Sequence, residues 1–331
     1  MKTIILSLSL LLILFSYTKA QLLPQDCSES GILMNHTPEC NDHDFVLVFE
    51  DNFDGNSLDL TKWWTPTGVT RNFNLIDVKV WYKPENVTVN NGTLKIKADK
   101  LSSPEVHTFL TDQNTTTTAV FSYTSGELKT FQKFYHGKFE IRCKLPAGQG
   151  LFPAFWTHDG LNQSEIDIFD NKQNVEQLIM ATGFDFDEDG SANGCGDIVG
   201  DSPFETIPDL TDWHVYTCIF DNDFIEWQVD GVPYFSYARF HNSSGDALYC
   251  GDEFELGQYF QKKAYPLDKM IMIMNLAVLN GEDMPDETTI FPAFYEVDYV
   301  RFYKRTPCDG CVNNIVYENI ENLPSATRTQ E

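Results

Sequence analysis

The chain has 331 residues, of which 42% are hydrophobic, and its formal net charge at pH 7 is −26. It contains no Lys/Arg block of the kind that binds nucleic acid, and a strongly negative protein repels anionic ligands. These properties argue against a nucleic-acid partner. They favour a neutral glycan over a sulfated or uronic polymer.

Residues 1–20 are typical of a secretory signal peptide. Lys2 provides the positive start, the segment from Ile4 to Phe15 is largely apolar, and Thr18-Lys19-Ala20 fits a small-x-small cleavage site. The apolar segment is too short to span a bilayer. We therefore expect a secreted, extracellular monomer with no membrane association after cleavage; a retained N-terminal anchor is the alternative.

The rest of the chain divides into an N-terminal arm at 21–43, a β domain at 44–305 and a polar C-terminal tail at 306–331. Short segments rich in β-branched and aromatic residues alternate with Gly, Asn, Asp and Pro turns, which is typical of a β-sandwich or barrel. The polar, Thr-rich segment 102–118 is predicted to be a loop. Strands are predicted at 45–50, 87–89, 93–98, 137–145, 213–220, 224–229, 232–235, 270–279 and 295–303. Asn90-Asn-Gly and Asp230-Gly are expected to be the turns of two hairpins. The segment 137–145 alternates as a half-buried strand should, and the nearly continuous apolar run 270–279 predicts a strand buried on both faces.

The cysteine count points to an oxidising compartment. Eight cysteines follow the signal segment, and an even number in an exported chain predicts disulfides: Cys27, Cys40, Cys143, Cys195, Cys218, Cys250, Cys308 and Cys311. The last two are predicted to form a local bridge, because no second such pair exists to complete a zinc site. Candidate glycosylation sites are Asn35, Asn86, Asn91, Asn114, Asn162 and Asn242.

The segment Ser164–Asp170 places three carboxylates among large apolar residues. In a strand, Glu165 and Asp167 share one face, while Ile166 and Ile168 share the other, which is expected to face the core. Asp170 has the wrong parity for a flat strand. A β-bulge of one extra residue is therefore predicted to return it to the Glu165 face.

Like charges held this close raise one another's pKa, so such a cluster costs stability. Carbohydrate-cleaving sites use the arrangement: one carboxylate attacks the sugar and a second, kept protonated, gives its proton to the leaving oxygen. A solvated acidic face on an acidic protein, or a set of cation ligands, would show the same spacing.

Further segments carry a family resemblance, and they occur in family order: Glu50-Asp-Asn-Phe-Asp-Gly, Val89-Asn-Asn-Gly-Thr-Leu-Lys-Ile, Ser125-Gly-Glu-Leu-Lys-Thr, Gly137–Trp156, Asp230-Gly, Asn275-Leu-Ala-Val and Val297-Asp-Tyr-Val-Arg-Phe-Tyr. From about Leu47 to Lys304 the chain resembles glycoside hydrolase family sixteen, the laminarinase-like β-glucanases. The family signature Glu-x-Asp-x-x-Glu corresponds to the acidic segment, with Asp at its last position.

The resemblance implies an all-β fold, a jelly-roll β-sandwich of two curved antiparallel sheets with a cleft on the concave face. It implies Glu165 as the nucleophile of a retaining reaction, Asp170 at the acid/base position and Asp167 as the carboxylate that tunes its neighbours. Retention needs the two reacting carboxyl groups about 5–5.5 Å apart. No cofactor is implied for catalysis.

The resemblance also implies substrate-binding residues. Trp156 is expected to stack near the cleaved bond, Phe152 stands where the family has a cleft-wall Trp, and Asn275 lies in a family segment. Trp81 is a candidate sugar-stacking ring because it lies in a turn-rich segment, with ordinary packing as the alternative.

A structural calcium ion is a further implication of the resemblance. Its expected ligands are the Asp298 side chain and the backbone carbonyls of Glu50 and Gly92, because calcium takes six to eight hard oxygen ligands.

Besides Phe152, the chain departs from the family pattern at the acid/base position, on the following strand, and at 72–86, where the family's Asn-Glu-rich segment is not recognisable. Asp170 is one methylene shorter than the family's Glu, which sets its carboxyl back by about 1 Å, and a displacement of that size can cost about a hundredfold in rate. The His usually found on the following strand is missing from Gln177-Leu-Ile-Met-Ala-Thr. His158 and His214 are the nearest imidazoles, and His158 is taken as the candidate site residue, with a structural role as the alternative.

Two functional hypotheses follow. The first is a secreted endo-β-glucanase with reduced activity that hydrolyses β-1,3 or mixed β-1,3/1,4-glucan by double displacement. The second is a non-catalytic β-glucan-binding protein on the same fold. The presence of both Glu165 and Asp167 favours the enzyme, and a purely structural extracellular protein would not need the three carboxylates.

Overall fold

The fold is known from a computed structural model that describes residues 28–29, 45–69, 78–111, 114–160, 164–171, 178–185, 198–203, 209–221, 224–242, 247–248, 259–262, 265–266 and 268–305. The predicted signal segment and C-terminal tail lie outside the described residues. So does most of the predicted N-terminal arm.

The described residues form 21 strands and two short 3₁₀ turns. The first eleven strands are β1 Ser28–Glu29, β2 Phe45–Asp51, β3 Trp63–Trp64, β4 Val80–Tyr82, β5 Val87–Asn90, β6 Thr93–Leu110, β7 Thr116–Ser125, β8 Glu127–Phe134, β9 Gly137–Lys144, β10 Leu151–His158 and β11 Ser164–Asp170. The remaining strands are β12 Leu178–Asp185, β13 Ile198–Pro203, β14 His214–Phe220, β15 Phe224–Val229, β16 Val232–Ala238, β17 Phe240–Asn242, β18 Ala247–Leu248, β19 Tyr259–Lys262, β20 Met270–Val278 and β21 Ala293–Arg305. The 3₁₀ turns are Pro84–Asn86 and Gly281–Asp283.

Two large sheets form the sandwich. One has seven strands in the order β13-β12-β11-β10-β20-β8-β3, and the other has ten strands, of which eight follow the path β16-β15-β14-β9-β21-β6-β7-β4. Strand β2 pairs with β21 and β5 pairs with β6 off this path, and β1, β17, β18 and β19 form a small third sheet. Pairing is antiparallel except between β4 and β7. The predicted all-β jelly-roll sandwich is confirmed.

A single hydrophobic cluster fills the space between the two large sheets. Strand β9 shows the alternation that builds it: Phe139, Ile141 and Cys143 are buried, and the residues between them are half-buried. Strand β20 lies between β10 and β8 and is buried along nearly its whole length, as its continuous apolar sequence predicted.

Two predicted hairpins are confirmed by their turns. Asn91 and Gly92 join β5 to β6, and Asp230 and Gly231 join β15 to β16; all four residues have positive φ values between 50° and 76°. Such turns match the right-handed twist of the flanking strands, and Asn-Gly and Asp-Gly pairs adopt them with little strain. The sequence therefore fixes the strand register at both places.

The predicted loop at 102–118 is wrong, because β6 and β7 continue through it as a long hairpin. His107 pairs with Ala119 and Phe109 with Thr117, and the β-branched threonines suit an extended backbone. The Trp81 ring stacks on the His107 ring, with centroids 3.9 Å apart and planes 4° apart. An aromatic contact from another strand thus supports a hairpin whose own sequence is mostly polar.

The expectation that all eight cysteines pair is wrong for two of them. Cys143 and Cys218 are free, fully buried thiols in the ten-stranded sheet, and burial raises the pKa of each well above its usual value. They act as small apolar core residues. The other six cysteines lie outside the described residues. No helix in the described part of the chain is long and apolar enough to cross a bilayer.

Candidate active site

The acidic segment forms strand β11, and its pairing is irregular at one point. On β10, Trp156 pairs with Asp167 and Phe155 with Phe169, which leaves Ile168 as the extra residue. The pairing with β12 also shifts between Asp167 and Asp170. The predicted β-bulge is therefore confirmed, and it lies between the second and third carboxylates.

The bulge sorts apolar and acidic side chains onto opposite faces. Ile166, Ile168 and Phe169 belong to the core cluster between the sheets. The three acids lie opposite alternate residues of β10, namely Ala154, Trp156 and His158. Alternate residues of a strand share a face, so Glu165, Asp167 and Asp170 lie together on the face of the seven-stranded sheet that points away from the core.

These carboxylates are not simply solvated. Glu165 is 8% exposed and Asp167 is 4% exposed, whereas Asp170 is half-buried. Burying carboxylates is costly unless other groups compensate, so a solvated acidic face does not describe this segment.

A row of cross-strand neighbours, here called the acid row, leads from Asp170 across the sheet. Asp170 and Asn275 lie on either side of Ala154, which places only a methyl group between them, and Asn275 pairs in turn with Glu127 of β8. The adjacent row also crosses the sheet and consists of Asp167, Trp156, Ile273, Lys129 and Trp64. Carboxylates, an amide and two indole rings thus line one continuous face.

A hydrogen-bonded chain fixes the centre of this face. The Trp156 indole Nε1–H donates to Asn275 Oδ1 at 2.8 Å, and Asn275 Nδ2 donates to the Tyr82 hydroxyl at 3.3 Å. Tyr82 is fully buried. The Trp156 ring therefore has a set orientation, as a sugar-stacking platform requires.

Two nearby acids affect the pKa of the Tyr82 hydroxyl. Burial raises the pKa of its hydroxyl well above the usual range, and the negative charge of Glu127 and, more weakly, that of Asp170 act in the same direction. The hydroxyl therefore stays protonated at any working pH. Its proton is available for a hydrogen bond while its oxygen accepts one from Asn275.

Sequence reasoning missed Glu127 and Lys129 as members of this face. Glu127 is 3% exposed and forms an ion pair with the Lys129 ammonium at 2.9 Å. The same ammonium lies 5.4 Å from the centre of the exposed Trp64 ring. The signal was present, because the parity of Ser125-Gly-Glu-Leu-Lys-Thr puts Glu127 and Lys129 on one side of a strand.

The other predicted binding residues have different positions. Phe152 precedes Ala154 by two residues on β10, so it shares the acid face by parity, and it is also part of the hydrophobic cluster. Trp81 is not brought to the acids: it stacks on His107 and packs against Phe121.

The two candidate histidines differ sharply. His158 lies opposite Glu165, is 4% exposed, and accepts a hydrogen bond at Nδ1 from the Gly160 N–H at 2.9 Å. This bond leaves Nε2 to carry the proton in the neutral ring. His214 lies in the ten-stranded sheet, where its ring hydrogen-bonds the Asp230 carboxylate at 2.7 Å, so it has a structural position.

Two of the oxygens expected to bind calcium accept hydrogen bonds from cationic side chains in this structure. Asp298 Oδ2 accepts a hydrogen bond from Arg142 at 2.6 Å, and the Glu50 carbonyl accepts one from the Lys62 ammonium at 2.8 Å. The Arg142 guanidinium and the Lys62 ammonium thus each donate to an oxygen of the expected calcium ligands. Within the described ranges, no cluster of three or more His, Cys, Asp or Glu residues suits a metal ion. For Gly92 the structure gives only its place in the β5–β6 turn.

An open sheet face that carries several carboxylates beside indole rings has the groups that a carbohydrate-cleaving protein uses. The profile of glycosyl hydrolases family 16 matches residues 75–250. The chain belongs to this family, and so to the glycoside hydrolases.

Individual proteins show the same relationship. The chain is 28% identical over 289 residues, 78% of its length, to "Glucan endo-1,3-beta-glucosidase A1" of Niallia circulans, and 30% identical over 194 residues, 54% of its length, to "Glucan endo-1,3-beta-glucosidase" of Cryptopygus antarcticus. These matches span 38% and 66% of the two relatives, so the chain covers less than two thirds of either. The solved structure of the endo-β-1,3-glucanase from Pyrococcus furiosus superposes with a TM-score of 0.59 at 27% identity, over 80% of this chain and 96% of that one.

Proposed function

We propose that this protein is a secreted endo-β-glucanase that hydrolyses β-1,3 or mixed β-1,3/1,4-glucan with retention of anomeric configuration. The observation that carries the proposal is the bulge of β11, which places Glu165, Asp167 and Asp170 on one face. The similarity to two proteins named endo-1,3-β-glucosidases supports the choice of substrate. The signal-like segment at 1–20 supports secretion.

The first chemical step is a displacement. The Glu165 carboxylate attacks the anomeric carbon, and the bond from that carbon to the glycosidic oxygen breaks. The Asp170 carboxyl group gives its proton to this oxygen, so the leaving sugar departs as a neutral alcohol. Asp167 lies between the two in sequence and on the same face, where its charge favours the protonated form of a neighbouring carboxyl group.

The second step reverses the roles. The Asp170 carboxylate takes a proton from a water molecule, whose oxygen attacks the glycosyl-enzyme ester and releases Glu165. The product keeps the configuration of the substrate. No metal or other cofactor takes part in either step of this proposal.

The rest of the face binds the polymer. Trp156, held by Asn275, offers a ring for sugar stacking next to Asp167. Glu127, which continues the row of Asp170, and Lys129, which lies in the row of Trp156, can hydrogen-bond sugar hydroxyls. This face suits a neutral glycan, because the Lys129 cation is already paired with the Glu127 carboxylate.

One observation favours a second candidate, a β-glucan-binding protein without turnover. Asp170 is shorter than the Glu of the family signature, so its proton starts about 1 Å further from the glycosidic oxygen. In that case the same face would bind β-glucan and leave it intact.

The deciding experiment is reducing-end release from a soluble β-1,3-glucan and a mixed-linkage β-glucan, with binding measured in parallel. Glu165→Gln should lower turnover by about 10⁴-fold, because the nucleophile is lost while the shape is kept. Glu140→Gln on β9 of the opposite sheet is the matched control and should match the wild type. Equal rates for wild type and Glu165→Gln would rule out the enzyme, and retained glucan binding would then establish the second candidate.

A further inference from the structure

The two sheets are joined by a hydrogen bond that ends at the bulge. Trp227 lies on β15 in the ten-stranded sheet and is fully buried. Its indole Nε1–H crosses the core and donates to the backbone carbonyl oxygen of Asp167 at 2.7 Å. This carbonyl belongs to the residue directly before the extra residue of the bulge, Ile168.

A β-bulge weakens the local pairing between a strand and its neighbour. It inserts a residue without a cross-strand partner, and the local hydrogen bonding is disrupted. A buried carbonyl next to that irregularity needs a donor, since an unsatisfied one costs about 1–3 kcal/mol. The Trp227 indole supplies this donor from the opposite sheet. The pairing of β15 with β16 is itself irregular directly after Trp227.

The orientation of the acids depends on this irregularity. With the bulge, Asp170 shares the face of Glu165; in a flat strand its parity would turn it toward the core. Any change in the backbone geometry of the bulge therefore moves the Asp170 carboxylate relative to those of Glu165 and Asp167. A displacement of about 1 Å at reacting groups can cost about a hundredfold in rate.

We infer that Trp227 is a positioning residue: its indole N–H holds the Asp167 carbonyl and so fixes the bulge that gathers the three carboxylates. The catalytic consequence rests on the proposed function. The effect on the bulge itself does not, so the two can be tested apart.

The chain offers a matched control for the substitution Trp227→Phe. Trp63 is also fully buried in the same core, and its Nε1–H donates to Asp51 Oδ2 at 2.9 Å, away from β11. Trp63→Phe therefore also removes a buried indole and its hydrogen bond, in this case a part-buried one to a carboxylate. Both variants should lose thermal stability to a similar extent.

The first readout is amide hydrogen exchange of the peptide covering 164–171. Trp227→Phe should speed its exchange at least about tenfold relative to Trp63→Phe, because the bulge has lost its anchor. The second readout is glucan turnover, where kcat should fall about ten- to a hundredfold in Trp227→Phe with KM within about twofold, and Trp63→Phe should keep the wild-type kcat.

Equal exchange of this peptide in the two variants would overturn the inference. If the wild type shows no turnover, the proposed function fails, and the exchange comparison still decides the role of Trp227. Should Trp227→Phe not fold, β-(3-benzothienyl)alanine at position 227 replaces only the indole N–H by sulfur. The same faster exchange is then expected, and unchanged exchange would overturn the inference.

Discussion

Strands β11 and β21 each carry a bulge in an acidic segment, one in each large sheet. In β21, Val297 pairs with Cys143 and Tyr299 with Arg142, so Asp298 is the extra residue. Its carboxylate accepts a hydrogen bond from the Arg142 guanidinium at 2.6 Å. In β11 the extra residue is the apolar Ile168, and the acids occupy the positions around it.

The two bulges show different uses of one backbone device. The β21 bulge brings a single acid to a cation, so its charge is balanced locally. The β11 bulge brings three acids to one face, opposite Ala154, Trp156 and His158, none of which is a Lys or Arg. A row of like charges does not stabilise a fold. The core side of β11, with Ile166, Ile168 and Phe169, offsets that cost through burial.

The largest expected difference between the two bulges concerns activity. Asp170→Asn in β11 should lower kcat by at least about 100-fold, since it removes the general acid, while Asp298→Asn in β21 should leave kcat within about twofold. Turnover of a soluble β-1,3-glucan measures both. An equal loss in the two variants would mean that overall stability, and not the chemistry of β11, explains the effect.

The companion change Asp170→Glu restores the missing methylene. Turnover should rise, by up to about a hundredfold, if reach limits proton transfer. A flat or lower rate would show that the bulge has adapted to the shorter acid, and would contradict the argument from reach.

The core side of the β11 bulge should matter for stability. Ile168 is 1% exposed, so Ile168→Ala should lower the free energy of unfolding by about 2–4 kcal/mol through lost burial and a cavity. Val232, which is 59% exposed on β16, gives the matched control Val232→Ala with a change below about 0.5 kcal/mol. Urea unfolding would show the contrast, and a loss below about 1 kcal/mol at Ile168 would mean that the bulge is not anchored by its core side.

A smaller effect on stability is expected at Glu296, in the charge-balanced part of β21. Burial alone would raise the pKa of Glu296, but hydrogen bonds from Lys95 and Lys144 outweigh it and hold the pKa below the ordinary 4.5. The folded form thus favours the carboxylate. Its stabilisation is present above pH 4.5 and is lost as the pH falls through the lower folded-state pKa.

Glu296→Gln should therefore destabilise the protein at pH 7 by about 0.5 kcal/mol, a value reduced for solvent screening at this partly exposed position. The difference in Tm from the wild type should shrink as the pH is lowered below 4. A difference that grows toward low pH would reverse the sign of the argument.

The smallest effect is expected from calcium. Because Arg142 and Lys62 already take the oxygens of Asp298 and Glu50, removing calcium with EGTA or adding it at millimolar concentration should shift Tm by less than about 1 °C. Thermal unfolding of the intact protein measures this. A calcium-dependent rise of several degrees would show that the ion displaces the two cations.

Much of the local structure could be predicted from the sequence. The Asn-Gly and Asp-Gly turns, the apolar run of β20 and the alternation of β9 each depend on a short-range signal, and all three predictions are confirmed. The bulge could be predicted because the parity of Asp170 conflicts with that of Glu165. The segment 102–118 could not, because its hairpin depends on the Trp81 ring, which comes from a distant part of the chain.

The sequence by itself determined which side chains of β11 are apolar and which are acidic, and their spacing predicted a bulge if the three acids share one face. Only the tertiary structure decided that Asn275 and Glu127 continue the acid row, that Trp227 reaches the Asp167 carbonyl, and that Arg142 takes Asp298. The physical reason is the separation along the chain of the residues on which each feature depends. Side-chain parity is a property of neighbouring residues, whereas cross-sheet rows and contacts through the core depend on how strands far apart in the chain are paired and packed.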